Sequence, residues 1–179
     1  MRYISILRGI NVGGHKKIKM TDLKDLYCAL GLKNVETYIQ TGNVIFSSED
    51  NNEQLKTRLE QAINQHFGFE VPVIVRSNNQ FNTLLSSLPF EGLNIEDDGT
   101  KVLLTFLSAQ PNAELVRAIA QYVVAPEQLV IDGATAYLHC PNGYGKTKLT
   151  NNFIEKKLQV IATTRNWKSV TKLAQLAND

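Results

Sequence analysis

Both halves of the chain carry the same succession of strand and helix patterns. In residues 1–88, four apolar, strand-like runs and two helical patterns follow the order β-α-β-β-α-β, and a short third helix follows at 78–88. The strands are predicted at 3–7, 35–39, 44–47 and 71–75, and the helices at 21–30 and from the caps at 50–52 to Gly68. This order is the split β-α-β arrangement of ferredoxin-like domains.

The second half repeats this order of elements without repeating recognisable residues. Its strands are predicted at 102–107, 129–131, 135–139 and 160–164, and its helices at 113–123, at 148–158 and from Asn166 onwards. We therefore predict an α+β protein of two ferredoxin-like subdomains at 1–88 and 101–179, each with a trailing helix and an antiparallel or mixed sheet. Residues 89–100 are rich in glycine, asparagine and acidic residues, and we predict that they form a linker.

Several predicted strands are apolar at successive positions, notably at 44–46, 71–75 and 102–104. Successive side chains point to opposite faces of a strand, so these runs present apolar groups on both faces of the sheet. A lone ferredoxin-like sheet has helices on one face only. We therefore expect the other face to be covered as well, either by the sister sheet or by the trailing helices.

A glycine-rich segment follows the first predicted strand. Residues 7–14 read L-R-G-I-N-V-G-G, and three lysines between 16 and 19 precede the first helix. Glycine tolerates positive φ and lets backbone N–H groups approach a ligand closely, so such a segment at a helix entrance suits an anion. The glycine spacing does not fit G-x-G-x-x-G, which argues against a dinucleotide site.

The predicted topology gathers the polar loops at two poles, one in each half. In a split β-α-β sheet, strands 1 and 2 run parallel with strand 3 between them, so the loop after strand 1 lies at the same end as the 2–3 hairpin. In the second half, the loops after the third and fourth strands share one end. The candidate ligand-binding residues are Arg8, Asn11, Lys16, Gln40, Thr41 and Asn43 at the first pole, and Gly145, Lys146, Lys148, Arg165 and Asn166 at the second.

The tripeptide Gly145-Lys146-Thr147 resembles the end of a phosphate-binding P-loop. The full motif requires a glycine five residues before Gly145, where this chain has Cys140. The segment also follows a predicted hairpin strand, which argues against a nucleotide hydrolase. A glycine-rich helix entry that binds a phosphate through backbone N–H groups, Lys146 and Arg165 is compatible with both facts, and a solvent-exposed turn with two lysines is the alternative.

No group of residues has the spacing of a metal site or of a catalytic pair. His139 and Cys140 are neighbours on a strand, so they point to opposite faces. We predict no metal and no cofactor, and the pattern leaves open whether the protein is an enzyme.

Cys28 and Cys140 lack redox spacing, so we expect buried thiols in a reducing compartment. The sequence shows neither a signal-peptide pattern nor an apolar stretch of membrane length, so we expect a cytoplasmic protein.

Four motifs together resemble the family called domain of unknown function 1697. They are L-R-G-I-N-V-G-G at 7–14, M-T-D-L at 20–23, Y-I-Q-T-G-N-V-I-F at 38–46 and T-T-R-N-W-K-S-V-T-K-L at 163–173. The hairpin of that family usually reads Q-S-G-N, so Thr41 departs from the pattern while keeping the hydroxyl. The resemblance implies a small bacterial cytosolic protein of two α+β subdomains, and it supplies no established activity, ligand or catalytic residue.

These observations favour a protein that binds a phosphate-bearing ligand, such as a nucleotide or a nucleic acid, at its basic poles. The net charge of +2 is too small to indicate generic nucleic-acid binding, although residues 140–179 hold seven Lys or Arg against two Asp or Glu. The alternative is a structural or protein-interaction module in which Arg8 and Arg165 are internal struts. No membrane partner is expected, and the oligomeric state is left open.

Overall fold

The computed structural model describes residues 1–179 and contains two four-stranded antiparallel sheets. The first sheet consists of β1 (Arg2–Leu7), β2 (Lys33–Tyr38), β3 (Asn43–Ser47) and β4 (Val73–Ser77). The helices of this part of the chain are α1 (Met20–Ala29), α2 (Asn52–Phe67) and α3 (Asn78–Ser86). The strands lie in the order β2-β3-β1-β4, and every neighbouring pair is antiparallel.

The second sheet repeats this arrangement. A short helix α4 (Ile95–Asp98) precedes it, and its strands are β5 (Val102–Leu107), β6 (Gln128–Asp132), β7 (Thr135–His139) and β8 (Ala162–Asn166). The remaining helices are α5 (Ala113–Ile119), α6 (Asn151–Leu158) and α7 (Trp167–Asn178). The strand order β6-β7-β5-β8 matches that of the first sheet. The predicted α+β class with two similar four-stranded subdomains is confirmed, and an internal duplication of a ferredoxin-like unit stays a prediction.

The chain divides into two compact units. Residues 1–84 with 172–179 form the first unit, and residues 85–171 form the second. The last turns of α7 belong to the first unit because Arg2 Nη2 donates to the carbonyl of Leu176 at 3.0 Å and Asn82 Nδ2 donates to Asn178 Oδ1 at 3.2 Å. The sequence-based boundaries placed the whole closing helix in the second half, since no local pattern announces a bond between residues 174 positions apart.

Residues 89–100, which we predicted to be a linker, pack onto the second unit. They contain α4, whose start is capped by the side chain of Asn94, which accepts a hydrogen bond from the Glu96 N–H at 3.2 Å. Phe90 is buried, and its ring centroid lies 5.9 Å from that of His139. Phe90 therefore packs this segment against the second sheet.

Helices α1 and α2 cover one face of the first sheet. Leu23 and Tyr27 of α1 are fully buried, as are Leu55, Leu59 and Ile63 of α2. Their spacing of four residues forms one apolar stripe on each helix, which packs against the sheet. These side chains join one buried cluster with the residues of β1, β3 and β4 that face the helices.

The opposite face of the first sheet is buried as well, as the double-sided apolar runs predict. Ile4 and Ile6 of β1, Ile45 of β3 and Ile74 of β4 are at most 3% exposed. The second sheet shows the same property. Leu103 and Leu107 of β5 join the cluster that faces the helices, and Phe106, which points to the opposite face, is fully buried as well. None of the helices combines the length and the apolar character that crossing a membrane requires.

The helix predicted at 148–158 begins later, at Asn151. The Thr150 hydroxyl accepts a hydrogen bond from the Phe153 N–H at 3.3 Å and so acts as the N-cap. Residues 144–146 form a separate single turn of 3-10 helix. Lys148 therefore precedes the helix, as Lys146 does, instead of lying in its first turn.

Candidate functional site

The loop between β1 and α1 is held in shape by the side chain of Asn11. Its Nδ2 donates to the carbonyl oxygens of Ile18 at 2.9 Å and Gln40 at 2.8 Å, and its Oδ1 accepts from the Ile18 N–H at 2.8 Å. Asn11 has a φ of +56°, a conformation that asparagine adopts more readily than most residues. Asn11 therefore closes the loop on itself and ties it to the connection between β2 and β3.

Gly42 and Asn43 close the β2–β3 connection. The Gly42 carbonyl accepts from the Leu7 N–H at 2.8 Å. Asn43 is buried, and its Nδ2 donates to the Tyr38 carbonyl and to Thr41 Oγ1, both at 3.0 Å. The loop after β1 thus meets the β2–β3 connection at one end of the sheet. The side-chain amide of Asn43 stabilises that connection internally, through its bonds to Tyr38 and Thr41.

A cavity of about 810 Å³ is bounded by this loop, the start of α1, the β2–β3 connection and the end of α2. Its wall includes Asn11, Lys17, Lys19, Met20, Gln40 and Phe67. Met20 and Phe67 supply apolar surface, while the two lysines and the amide of Gln40 supply polar groups. The volume lies within the range of about 300–1,000 Å³ that is common for small-molecule sites.

The start of α1 and the two lysines make this cavity electropositive. Lys17 and Lys19 are exposed, and no side chain caps the N-terminus of α1. The N–H groups of the first helical turn have no partner within the helix, and the helix dipole adds about half a positive charge there. Asp22 in the same turn offsets part of this charge. The arrangement suits one anionic group placed next to an apolar surface.

Lys16 and Arg8, both predicted at the first pole, contact the segment that leads into β4. Lys16 Nζ donates to the Glu70 carbonyl at 2.6 Å. Arg8 is half-buried, and its backbone N–H donates to the Pro72 carbonyl at 2.9 Å. Lys16 is exposed, as Lys17 and Lys19 are, but its ammonium is engaged by a backbone carbonyl of the protein.

Lys146 and Lys148 line a smaller cavity in the second unit. Its volume is about 400 Å³, and its wall also includes Tyr122, Pro126 and Glu127. Gly145 is exposed in the 3-10 turn at 144–146, and Thr147 lies between the two lysines. The hydroxyl of Thr147 donates to Glu127 Oε2 at 3.0 Å, so the acidic side chain fixes this turn.

Arg165 and Asn166 stabilise the secondary structure of the second unit and do not line the cavity of Lys146 and Lys148. Arg165 is 8% exposed, and its Nη1 donates to Thr163 Oγ1 at 3.0 Å and to the Thr164 carbonyl at 2.9 Å. Asn166 Oδ1 accepts from the Ser169 N–H at 2.9 Å and caps α7, as the sequence predicts. The residues predicted at the second pole are thus divided between a cavity wall and a sheet.

Arg76 occupies in β4 the position that Arg165 occupies in β8. Each is the next-to-last residue of its strand, and Arg76 lies opposite Ile4 in the first sheet as Arg165 lies opposite Leu104 in the second. Burial lowers the pKa of the Arg76 guanidinium from its ordinary value, and Glu53 opposes that shift. Arg76 was not predicted from the sequence, although the shared order of elements is a signal that points to this position.

Comparison with known proteins places the chain in a family. The family model described as "Protein of unknown function (DUF1697)" matches residues 1–137. The chain belongs to this DUF1697 family. Its structure is similar to the structure of the conserved bacterial protein SP0830 from Streptococcus pneumoniae, with 28% identity, a TM-score of 0.78 and 98% of each chain covered. No curated protein matches the chain.

The DUF1697 match includes every residue that lines the larger cavity. Those residues lie between Asn11 and Phe67, within the matched range of 1–137. Lys146, Lys148 and Arg165 lie beyond the end of that range. Of the two cavities, the larger one is therefore the better candidate for a site that belongs to the family fold.

Eight of the ten residues in the larger cavity's wall were not predicted from the sequence as ligand contacts, among them Lys17, Lys19 and Phe67. Lys17 and Lys19 belong to the basic cluster that was noted, but three neighbouring lysines cannot be ranked from sequence. Phe67 continues the apolar stripe of α2, so its spacing predicts a core residue and gives no sign of a cavity.

The structure offers no group of three or more His, Cys, Asp or Glu side chains that could hold a metal ion. Both cysteines are free, with Cys28 exposed on α1 and Cys140 buried. Burial and the negative charge of Glu127 raise the pKa of the Cys140 thiol to about 11, against a smaller opposing effect of its hydrogen bond with Thr147. The expectation of a buried thiol is confirmed for Cys140 and wrong for Cys28, whose helix position faces solvent.

We expect a thiol reagent such as DTNB at pH 8 to react with Cys28 rapidly and with Cys140 at least about 100-fold more slowly, because only the thiolate reacts. Burial limits access to Cys140 in addition. Stopped-flow absorbance on the wild type, Cys28→Ser and Cys140→Ser measures both rates. Cys28→Ser should lose the fast phase and Cys140→Ser should retain it, whereas two fast phases in the native wild type would contradict this assignment.

Proposed function

We propose that the protein binds a small ligand through a phosphate or another anionic group in the cavity beside α1. The observation that carries the proposal is that Lys17, Lys19 and the uncapped start of α1 lie at the wall of one cavity. Backbone N–H groups at a helix start and lysine ammonium groups are common anion ligands in proteins. The two free cysteines suit a reducing compartment, so we take the ligand to be cytoplasmic.

In this proposal, Asn11 and Gly42 shape the cavity without contacting the anion. Asn11 Nδ2 holds the loop to the Gln40 carbonyl, and Gln40 lines the wall. Gly42 accepts the hydrogen bond that ends β1. Rigid support of this kind is what a preformed ligand site needs.

The second candidate function is a structural or protein-interaction module without a small-molecule site. It is favoured by the internal bonds of three residues that the sequence suggested as ligand contacts. Lys16 donates to Glu70, Asn43 donates to Tyr38, and Arg165 donates to Thr163 and Thr164. These bonds do not involve Lys17 or Lys19, so the two candidates are separated by testing those lysines.

Isothermal titration with ribose 5-phosphate, inorganic pyrophosphate and nucleoside monophosphates tests the proposal. We expect at least one of these compounds to bind, and Lys17→Gln/Lys19→Gln to weaken it by about tenfold or more, because a charge-assisted contact contributes about 1.5–3 kcal/mol. The matched control is Lys24→Gln/Lys56→Gln, which removes the same two charges from α1 and α2 outside the cavity wall. The control should bind as the wild type does.

Two results would contradict the proposed function. If none of the phosphate compounds binds the wild type, the cavity is not an anion site and the interaction module is favoured. If both double variants lose affinity equally, the attraction arises from net charge alone. In that case binding should also weaken steeply with salt, as it does for diffuse electrostatic association.

A further inference from the structure

One wall of the larger cavity is apolar and contains an aromatic ring. Phe67 is the last residue of α2, and it lines the cavity together with Ile18 and Met20. Its ring is half-buried and is supported by Phe69, whose centroid lies 6.3 Å away at an interplanar angle of 27°. The His66 ring meets Phe67 edge-on at 4.6 Å. Phe67 is therefore held in a fixed orientation while one side of it borders the cavity.

A strained and exposed isoleucine adjoins the same cavity in sequence. Ile39 has a φ of +51°, which is a rare conformation for a β-branched residue, and its side chain is 45% exposed. It immediately precedes Gln40, which lines the cavity. Neither burial nor backbone preference explains an isoleucine here, and such strain persists mainly where it serves function.

The positive and apolar parts of the cavity belong to one space. Lys17 and Lys19 lie on the loop that enters α1, while Phe67 lies at the end of α2. A ligand that uses both parts must carry an anionic group and a flat or apolar group. The volume of about 810 Å³ accommodates one such molecule of the size of a nucleotide.

We propose that the ligand of this cavity is a mononucleotide, with its phosphate at Lys17 and Lys19 and its base against Phe67. This inference rests on the proposed function and adds the class of ligand. The Gln40 side chain carries both a donor and an acceptor, so it suits the polar edge of a base. Ile39 holds the left-handed backbone conformation, with a φ of +51°, that leads into Gln40. Every base has a flat face, so stacking on Phe67 selects a nucleotide over a sugar phosphate.

The test compares AMP, GMP, CMP and UMP with ribose 5-phosphate and adenosine by isothermal titration on the full chain. We expect at least one monophosphate to bind about tenfold or more tightly than ribose 5-phosphate, because base stacking on an aromatic side chain has an effect of that order. Phe67→Leu should weaken that nucleotide by about tenfold and leave ribose 5-phosphate unchanged. Phe69→Leu, which alters the supporting ring outside the cavity wall, should have the smaller effect on the nucleotide.

Ile39→Gly is a second variant that does not depend on the tolerance of Phe67 to substitution. Glycine adopts positive φ freely, so we expect the melting temperature to fall by no more than about 2 °C. Nucleotide affinity should nevertheless fall by about threefold or more, because a glycine beside Gln40 leaves this part of the cavity wall more mobile. A variant that keeps its stability and loses affinity indicates that the backbone at this position orders the wall of the ligand site.

The outcomes separate failure of this inference from failure of the proposed function. If ribose 5-phosphate binds as tightly as every nucleotide and Phe67→Leu changes nothing, the mononucleotide is overturned and anion binding stands. If adenosine binds as tightly as AMP, or if no phosphate compound binds, the proposed function fails and this inference fails with it. Tighter binding of an oligonucleotide, with affinity falling steeply with salt, would overturn the mononucleotide in favour of nucleic acid.

Discussion

Replacing Gly42 with alanine is expected to lower the free energy of unfolding by about 3 kcal/mol, because two costs add. Gly42 has a φ of +83°, where a residue with a Cβ is disfavoured by about 1–2 kcal/mol. A Cβ here would also lie 2.6 Å from Ile10 Cδ1 and 2.9 Å from Leu7 Cβ. The end of the Ile10 side chain can rotate away, but Leu7 Cβ cannot move unless the β1 backbone moves with it. Such overpacking typically costs about 1–3 kcal/mol.

Urea unfolding followed by far-ultraviolet circular dichroism measures this effect, and Gly31→Ala is the matched control. Gly31 has a φ of +78°, and a Cβ there would meet nothing within 4 Å. The control therefore carries only the conformational cost of about 1–2 kcal/mol. Equal losses in the two variants would show that the β2–β3 connection relaxes around the added methyl group.

Asn11→Ala is expected to cost about 3 kcal/mol of stability and to abolish ligand binding in the cavity. The substitution removes two donated bonds and one accepted bond, and it leaves the backbone groups of Ile18 without the partner that the side chain provides. It also places alanine at a φ of +56°. Without the bond to the Gln40 carbonyl, the loop and the β2–β3 connection can separate, which disorders the cavity wall.

Asn34→Ala is the control for the Asn11 variant. Asn34 also has a positive φ, +51°, but its side chain makes one long hydrogen bond, from Nδ2 to Ser47 Oγ at 3.4 Å. Chemical denaturation should therefore give a loss of about 1–2 kcal/mol for Asn34→Ala, and titration should show unchanged ligand affinity. If both variants lose the same stability and retain the same affinity, the Asn11 side chain is not the brace that its hydrogen bonds indicate.

The order and type of the elements were predictable because their signals are local. Gly68 ends α2 with a φ of +81°, and Asn166 caps α7 through a bond to Ser169. Both features were expected from the residue type and its place beside a periodic apolar pattern. The double-sided apolar runs predicted buried sheet faces for the same reason, since each run lies within one strand.

The wall of the candidate site depends on partners that are far away in sequence. Lys16 was proposed as a ligand contact, but its ammonium bonds to Glu70, 54 residues away, while Lys17 and Lys19 line the cavity. Nothing in three neighbouring lysines reveals which one has a distant acceptor. Arg165 is a second example of a partner that the sequence does not reveal. A guanidinium on a strand can point to solvent or bond within the strand, and in this structure Arg165 donates to Thr163 and Thr164.

The contribution of α7 to the first unit bears on the order in which the protein assembles. Domains generally fold as the ribosome extends the chain, with the N-terminal one first. The bonds from Arg2 to the Leu176 carbonyl and from Asn82 to Asn178 can form only after α7 has been synthesised, so β1 gains this partner later than every strand of the second sheet. During synthesis from the N-terminus, all four strands of the second sheet are therefore made before residues 172–179, which complete the first unit.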